Sequence, residues 1–327
     1  MNKKKVFLTG AGQDSSYACE YFLELGYDVH VMIRRNSTPE HQESRIAHLE
    51  GQITSYYGDI TDRSSLDMIL TKVMPDEIYN FCAQSNVRIS YDIPEFTVQV
   101  NAVGVLNLLE AMKKICPKAK MIQCSSSEMF GSSCDSDGYQ RESTPMHPVS
   151  PYGCSKLFAY SIVRNYRNAF KLFASNSICL NHESPRRASN FVTAKVVKGA
   201  VMIKMGLADS LELGNLDSYR DWGHAKDYVK AIHLILQQDK PLDLVVATGE
   251  TRSVREMCDY VFTKLGMDYK DYVKTNEKHF RPQELDYLRG DSTKIRELGW
   301  KPEYTFETMM DEMIEHWMDY FTKKKYF

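Results

Sequence analysis

The sequence predicts an α/β protein: a doubly wound parallel sheet with a smaller C-terminal α/β substrate lobe. Three observations carry this. Over residues 1–180, short apolar runs alternate with amphipathic segments, the pattern of parallel strands joined by helical crossovers. The first run ends in a glycine-rich turn, Gly10-Ala11-Gly12. After about residue 181 the alternation stops, and loops and helices dominate. The expected division is residues 1–180 with about 224–248 in the sheet unit, and 181–223 with 249–327 in the lobe. At roughly 150 residues per domain, a chain of 327 has room for both.

The elements follow in order. Residues 5–9 form the first strand, and residues 16–25 a helix that Gly26 ends. Residues 28–33 and 52–57 read as the second and third strands, with Gly58-Asp59 after the latter. Residues 63–73 are helical, and 77–82 form the fourth strand. A long helix covers 97–114, and the fifth strand covers 120–124. Pro151 opens a helix over 151–170, and residues 174–180 make the sixth strand. Beyond it stand short strands at 211–213 and 244–247. The amphipathic helix at 306–321 reads as structural, and the 322–327 tail as frayed and solvated.

Composition excludes several classes. Hydrophobic residues make up 43% and charged residues 26%, which is globular rather than disordered. With 41 Lys plus Arg against 43 Asp plus Glu, the net charge of −2 argues against a nucleic-acid binder. No apolar run reaches the roughly 18 residues of a membrane span, and the run after Lys3-Lys4-Lys5 is too short for a signal peptide. None of the eight cysteines forms a CxxC pair. They read as reduced thiols of a cytoplasmic protein, and no metal site is expected.

Gly10, Gly12, Gln13 and Asp14 sit between the first strand and its helix. Glycines there let the backbone approach a pyrophosphate at the positive helix N-terminus. The second strand ends in Arg34-Arg35, with no acidic residue before Glu40. Two guanidiniums in that position suit a 2′-phosphate, so the expected cofactor is NADP. Asp59 and Ile60 fall where such folds contact adenine, and Ala83, Gln84 and Ser85 where they line the cofactor and the substrate entrance.

Tyr152 and Lys156 are four residues apart, on one face of a helix. A neighbouring ammonium favours the phenolate, so Lys156 is expected to lower the Tyr152 pKa toward a general-base range. Ser126 and Glu128 follow the fifth strand, at the edge where ligands bind. Ser126 is placed to share a proton with Tyr152. Glu128 taken alone is an exposed strand-end acid. Beside Tyr152 and Lys156 it reads as a base for a proton acidified by a neighbouring ketone.

These residues carry a family resemblance. Residues 75–85 (PDEIYNFCAQS), 126–131 (SSEMFG), 150–156 (SPYGCSK), 181–187 (NHESPRR), 213–229 (LGNLDSYRDWGHAKDYV) and 280–284 (FRPQE) are similar to those of the GDP-mannose 4,6-dehydratases. That family belongs to the extended short-chain dehydrogenases/reductases, Rossmann-fold enzymes. The resemblance covers nearly the whole chain. It implies that Tyr152 takes the C4 hydroxyl proton of a GDP-sugar as hydride passes to NADP⁺, with Ser126 assisting. Glu128 then removes the C5 proton, water leaves from C6, and the hydride returns there. The implied product is a 4-keto-6-deoxy sugar.

The resemblance further implies that Lys156, His182 and Arg187 contact the cofactor. Arg35 would reach the cofactor of a neighbouring subunit in a homodimer or homotetramer. Ser85, Ser126, Glu128, Asn181, Val192, Lys195, Asn215, Arg220, Arg281 and Glu284 would surround the GDP-sugar. Arg220 and Arg281 suit a diphosphate, and Glu284 a ribose hydroxyl. Each of the three alone also reads as a surface or fold-holding charge. Asp221, Trp222 and Asp291 read as support for the fold.

Four departures from the family pattern stand out. The phosphate turn is one residue shorter and ends in Ser15. Ser126 replaces a threonine, and Phe96 a cofactor-contacting tyrosine. The 266–281 segment is short, which leaves room for a related sugar such as a GDP-manno-heptose. The alternative activity is a C4 dehydrogenase, reductase or epimerase acting on a GDP-sugar without water loss. A non-catalytic NADP-binding protein is a third reading.

Overall fold

The computed structural model describes residues 3–35 and 45–324. Glu40 and the last three residues of the tail lie outside the described residues. The first half runs β1 (Lys5–Thr9), α1 (Gln13–Glu24), β2 (Asp28–Ile33), β3 (Thr54–Tyr57), α2 (Arg63–Val73), β4 (Glu77–Asn80), α3 (Val87–Asp92), α4 (Pro94–Val98), α5 (Gly104–Ile115), β5 (Lys120–Ser126), α6 (Pro151–Phe170) and β6 (Phe173–Cys179). The second half runs β7 (Asn181–Glu183), α7 (Val192–Lys204), β8 (Leu211–Leu213), β9 (Tyr219–Arg220), β10 (Trp222–His224), α8 (Ala225–Leu236), β11 (Asp243–Val246), β12 (Arg252–Ser253), α9 (Val254–Lys264), α10 (Tyr269–Tyr272), β13 (Val273–Thr275), α11 (Thr293–Glu297) and α12 (Phe306–Lys324).

Seven strands form one parallel sheet in the order β11-β6-β5-β4-β1-β2-β3. The expected doubly wound sheet is therefore present. Strand order reverses between β1 and β4, so a crevice opens where the chains leaving those strands part. The strand read at 244–247 adds a seventh member at the β6 edge. Both faces of the sheet are covered. Phe22, Val229 and Ile232 pack on one side, and Leu66, Leu108 and Val163 on the other. A separate cluster spans Ala194 to Ile314 and joins α7, α9 and α12 with β8.

Local chemistry sets the helix ends. Asp62 caps α2 by accepting from Ser64 N at 3.0 Å. Ser150 caps α6 by accepting from Gly153 N at 3.0 Å, with Pro151 in the first turn. Ser253 and Glu256 form a reciprocal capping box on α9.

Several boundaries differ from the sequence reading: β3 starts at Thr54, β4 ends at Asn80, β6 and β11 each sit one residue earlier, and α12 continues into the tail as far as Lys324. Three further differences have a local cause. α1 starts at Gln13, because the Gly12 carbonyl already accepts from Ser16 N at 3.1 Å. The long helix starts at Pro94 and is interrupted by a π-turn over Gln99–Val103. That turn delivers the buried Asn101 side chain to both the N–H and the carbonyl of Gln84, at 2.9 Å each. β5 runs to Ser126 because Ser125 and Ser126 still pair with Ile178 and Cys179.

A buried polar belt crosses the sheet from the ends of β1 and β4 to the middle of β5 and β6. Thr9, Asn80, Gln123 and Asn176 are register partners on β1, β4, β5 and β6. Thr9 donates to Asn80 at 2.5 Å, and Asn80 donates to Gln123 at 2.5 Å. Asn176 accepts from Ser125 at 3.1 Å and donates to Asp243 of β11 at 2.9 Å.

Candidate active site

The turn after β1 closes on the crevice. Gly10 has φ +80°, a left-handed conformation that strains any other residue. Gly12 is extended, and a Cβ there would meet no protein atom within 4 Å. The open space beside Gly12, at the N-terminus of α1, fits the close approach of a dinucleotide pyrophosphate. Ser15 is fully buried and its hydroxyl donates to the Thr9 carbonyl at 3.5 Å. Its side chain is thus absorbed at the end of β1.

Gln13 and Asp14 are tied to β7. Gln13 donates to the His182 carbonyl at 3.1 Å and accepts from Ser184 at 2.7 Å. His182 lies between two acceptors, the Leu180 carbonyl at 2.9 Å and an Asp14 carboxylate oxygen at 3.2 Å. With a proton on both ring nitrogens, the imidazolium form donates to both. Burial opposes that charge, yet the Asp14 carboxylate lifts the His182 pKa to about 9. Burial likewise opposes the Asp14 charge, and His182 holds its carboxyl at about 2. Arg187 pairs with Glu183 at 3.0 Å and covers the Phe191 ring.

The end of β5 meets the start of α6. Ser126 accepts from Glu128 N at 3.2 Å and so caps a short 3₁₀ turn. Gly153 permits the helix to approach this turn, since a Cβ there would lie 2.7 Å from the Glu128 carbonyl. Lys156 Nζ donates to the Cys124 carbonyl at 2.8 Å and lies 5.8 Å from the Tyr152 ring centroid. Burial raises the Tyr152 pKa, and Lys156 and Ser126 counter it only in part. The sequence reading of a lowered phenol pKa is corrected here: desolvation outweighs the ammonium. Glu128 is only 7% exposed, so it is no surface acid at a strand end.

Charges from the C-terminal part close the other wall. Arg281 donates to Glu128 at 3.2 Å and lies 3.4 Å from Glu284. Arg220 donates to Glu284 at 2.9 Å and to the Leu285 carbonyl at 2.7 Å. Burial lowers the Arg220 pKa, as it does that of Lys195. Burial also opposes the Arg281 charge, but Glu128 and Glu284 raise its pKa overall. Asn215 donates to Ser218 at 2.9 Å. Lys278 pairs with Glu212.

One cavity of about 640 Å³ gathers these groups. Gly10, Gly12, Gln13, Asp14, Ala83, Ser85, Ser126, Glu128, Tyr152, Lys156, Asn181, His182, Arg187, Val192, Lys195, Asn215, Arg220, Arg281 and Glu284 all line it. Five candidates do not. Arg34 and Arg35 are exposed beyond β2, and Asp59 accepts from Thr61 N at 2.9 Å after β3. The Ile60 side chain is core, packed under α5, and does not face a ligand. Gln84 spends its side chain on Asn86 and Thr97. It shapes the loop rather than lining the cavity. Phe96 lies exposed on α4, away from the lining.

The structure adds lining residues that the sequence reading passed over. Asn86 caps α3 by accepting from Ile89 N at 3.0 Å, a signal present in the sequence. Arg88, Lys278 and His279 also line the cavity, and no motif marks them. Asp221 is buried and accepts from Thr248 N and Gly249 N at 2.9 and 2.8 Å, in keeping with a fold-holding role.

The sheet order, the glycine turn and the Tyr152–Lys156 helix under a C-terminal lobe define an extended short-chain dehydrogenase/reductase. Within that class, the chain belongs to the GDP-mannose 4,6 dehydratase family, whose model matches residues 7–313. It is 44% identical to the GDP-mannose 4,6 dehydratase of Cricetulus griseus, over 96% of this chain and 91% of that one. It is 45% identical to GDP-mannose 4,6 dehydratase 2 of Arabidopsis thaliana, over 99% of this chain and 89% of the relative. Among solved structures, a dTDP-glucose 4,6-dehydratase from Bacillus anthracis in complex with NAD shares the fold. Its TM-score is 0.83 at 24% identity, covering 99% of this chain and 98% of that one.

Proposed function

We propose that this chain is a GDP-mannose 4,6-dehydratase using NADP. The observation that carries the reading is the buried carboxylate Glu128 in the same cavity as Tyr152, Lys156 and Ser126. Transfer of hydride at C4 alone needs no such base, so Glu128 favours dehydration over a C4 dehydrogenase, reductase or epimerase.

Bound NADP⁺ supplies a hydride acceptor at C4 and the same hydride for C6. Tyr152 takes the C4 hydroxyl proton. Lys156 steadies the phenolate that accepts this proton, Ser126 holds the oxygen in line, and the Tyr152 phenol returns the proton to C5 at the end of the cycle. The 4-ketone acidifies the C5 proton, and Glu128 removes it. Glu128 then passes that proton to the C6 hydroxyl, which leaves as water. Arg281 must first leave Glu128, and the substrate diphosphate is the anion that draws it away. Arg220 then remains as the partner of Glu284, beside the ribose.

For the cofactor, a relative of this fold was solved with NAD, which supports a nicotinamide dinucleotide. The exposed Arg34 and Arg35 support the 2′-phosphate of NADP. Gly10, Gly12, Gln13, Asp14, His182 and Arg187 would hold the pyrophosphate and the nicotinamide ribose. Asp59 and the main chain of Ile60 would flank adenine. Residues 1–180 with 224–248 would bind the dinucleotide, and 181–223 with 249–327 the nucleotide sugar. The working form is a cytoplasmic homo-oligomer.

The test is mass spectrometry of the nucleotide sugar after incubation with GDP-mannose or GDP-manno-heptose, with NADPH absorbance followed in parallel. Loss of one water without NADPH accumulation is the expected result, and the faster substrate identifies the sugar. Stoichiometric NADPH without water loss would overturn the dehydratase reading.

A further inference from the structure

Two cysteines lie in the floor of the cavity, and the mechanism uses neither. Cys124 sits on β5 two residues before Ser126, so both side chains face the crevice. Cys179 is the register partner of Ser126 on β6. The two sulfurs are 3.9 Å apart, and both residues line the cavity. Cys124 is partly exposed, whereas Cys179 is 4% exposed.

The strand geometry decides what can join them. The two residues are offset by two positions on neighbouring parallel strands. From strand spacing and rise, their Cα atoms lie about 8 Å apart. A disulfide reaches about 7 Å between Cα atoms and needs an S–S bond of about 2 Å. A direct bond would therefore require the sheet to shift. A single soft atom has a different requirement. With sulfur bonds of about 2.3 Å, as zinc has, it spans up to about 4.6 Å between two sulfurs. The observed 3.9 Å gap lies inside that reach. The Cys179 thiol beside it draws the Cys124 pKa down to about 7 against the effect of burial, with help from Lys156. Cys124, the more exposed of the two, is thus the attacking thiol, and Cys179 supplies the second bond.

We propose that Cys124 and Cys179 form a two-thiol site for a thiophilic trivalent arsenical, and that its occupation excludes the dinucleotide. The reaction balances without an oxidant. Both S–H bonds break, two As–S bonds form, and the arsenical oxygen leaves with the two protons as water. Arsenic remains trivalent. The thiol pair stands on its own geometry, and only the exclusion of the cofactor rests on the proposed function.

The experiment treats the full-length folded chain with phenylarsine oxide and reads the native mass. The expected result is one phenylarsenic group added with one water lost, resistant to a monothiol and reversed by a dithiol. Cys124→Ala and Cys179→Ala should each lose this adduct, whereas Cys154→Ala should keep it. Cys179→Ser repeats the test with a closer isostere if the alanine variant misfolds by circular dichroism. No adduct on the native chain, or an unchanged adduct in the folded Cys179 variants, would overturn the site. In a second arm, NADP⁺ binding is first measured by calorimetry. At about ten times its dissociation constant, NADP⁺ should slow adduct formation about tenfold. An unchanged rate with calorimetrically bound NADP⁺ would overturn the exclusion. Absence of NADP⁺ binding would overturn the exclusion through the cofactor reading, and the first arm would still decide the thiol pair.

Discussion

The two walls of the cavity hold their polar groups in opposite ways. On the sheet side, Glu128 apart, the polar groups have fixed partners that are neutral or main-chain. Lys156 is held by a strand carbonyl and Ser126 by the N–H of Glu128, and behind the lining Asn80 is held by Thr9 and Gln123. On the lobe side, charge is held by charge. Arg281 sits between Glu128 and Glu284, and Glu284 also takes Arg220. The first wall is finished before any ligand arrives, as positioned chemistry requires. The second wall stores its cations on its own carboxylates, and they must change partners to bind an anion. The Asp14–His182 pair is the seam between the two, joining α1 to β7.

The comparison breaks hardest at Tyr152. Tyr152→Phe should cut hydride transfer by about 10²–10⁴-fold, with thermal stability preserved, as read by stopped-flow NADPH absorbance. A native rate in that variant would remove Tyr152 from the chemistry. Glu128→Gln should slow water elimination by a similar factor, about 10²–10⁴. Here, however, NADPH should accumulate, because C4 oxidation no longer leads onward.

Arg281 sharpens the contrast. A lost hydrogen bond to a charged group costs about 1.5–3 kcal/mol. Arg281→Ala should therefore raise KM for GDP-mannose about 10- to 100-fold and leave NADP⁺ affinity unchanged. Arg34→Ala should do the reverse, weakening NADP⁺ but not NAD⁺ by about tenfold. Titration calorimetry separates the two.

Stability responds to pH through two histidines that carry opposite signs. Neither ring nitrogen of His233 has a hydrogen-bond partner among the described residues, and burial holds its pKa at about 4. Its folded pKa is below the unfolded value of 6.5. The neutral ring's contribution is therefore complete above that pH and is lost as pH falls from 6.5 through 4, about 3 kcal/mol in all. For His182 the folded pKa is raised to about 9, so its contribution is complete below 6.5 and is lost as pH rises through 9. In thermal melts across pH, His233→Phe should flatten the acid limb and His182→Gln the alkaline limb.

Much of this was legible in the sequence where the signal is local. The bounds of β2 and α2 match the reading, since Gly26 and Asp62 punctuate them. The Tyr152–Lys156 spacing and the strand-end position of Ser126 and Glu128 are also short-range facts. By contrast, α7, α8 and α9 were not separately resolved. α7 is apolar nearly all round and packs Gly199 against Leu211, so its period is blurred. The Glu128–Arg281 pair joins residues 153 apart, and Cys124 meets Cys179 only through the register of β5 with β6. The raised Tyr152 pKa depends on depth of burial, which no spacing records.

The polar belt has a consequence for how the chain avoids error. Side chains alternate faces along a strand, so a slip of one residue would carry an amide to the opposite face. A slipped β4 would take Asn80 out of line with its partners and cost both Thr9 and Gln123 their bonds to it. Each wrong register is therefore penalised on two neighbours at once, while the correct one is reinforced from both sides. The belt acts as a check on alignment that is completed as the crevice forms. Anyone grafting a strand from a relative would have to move Thr9, Asn80, Gln123 and Asn176 as one set.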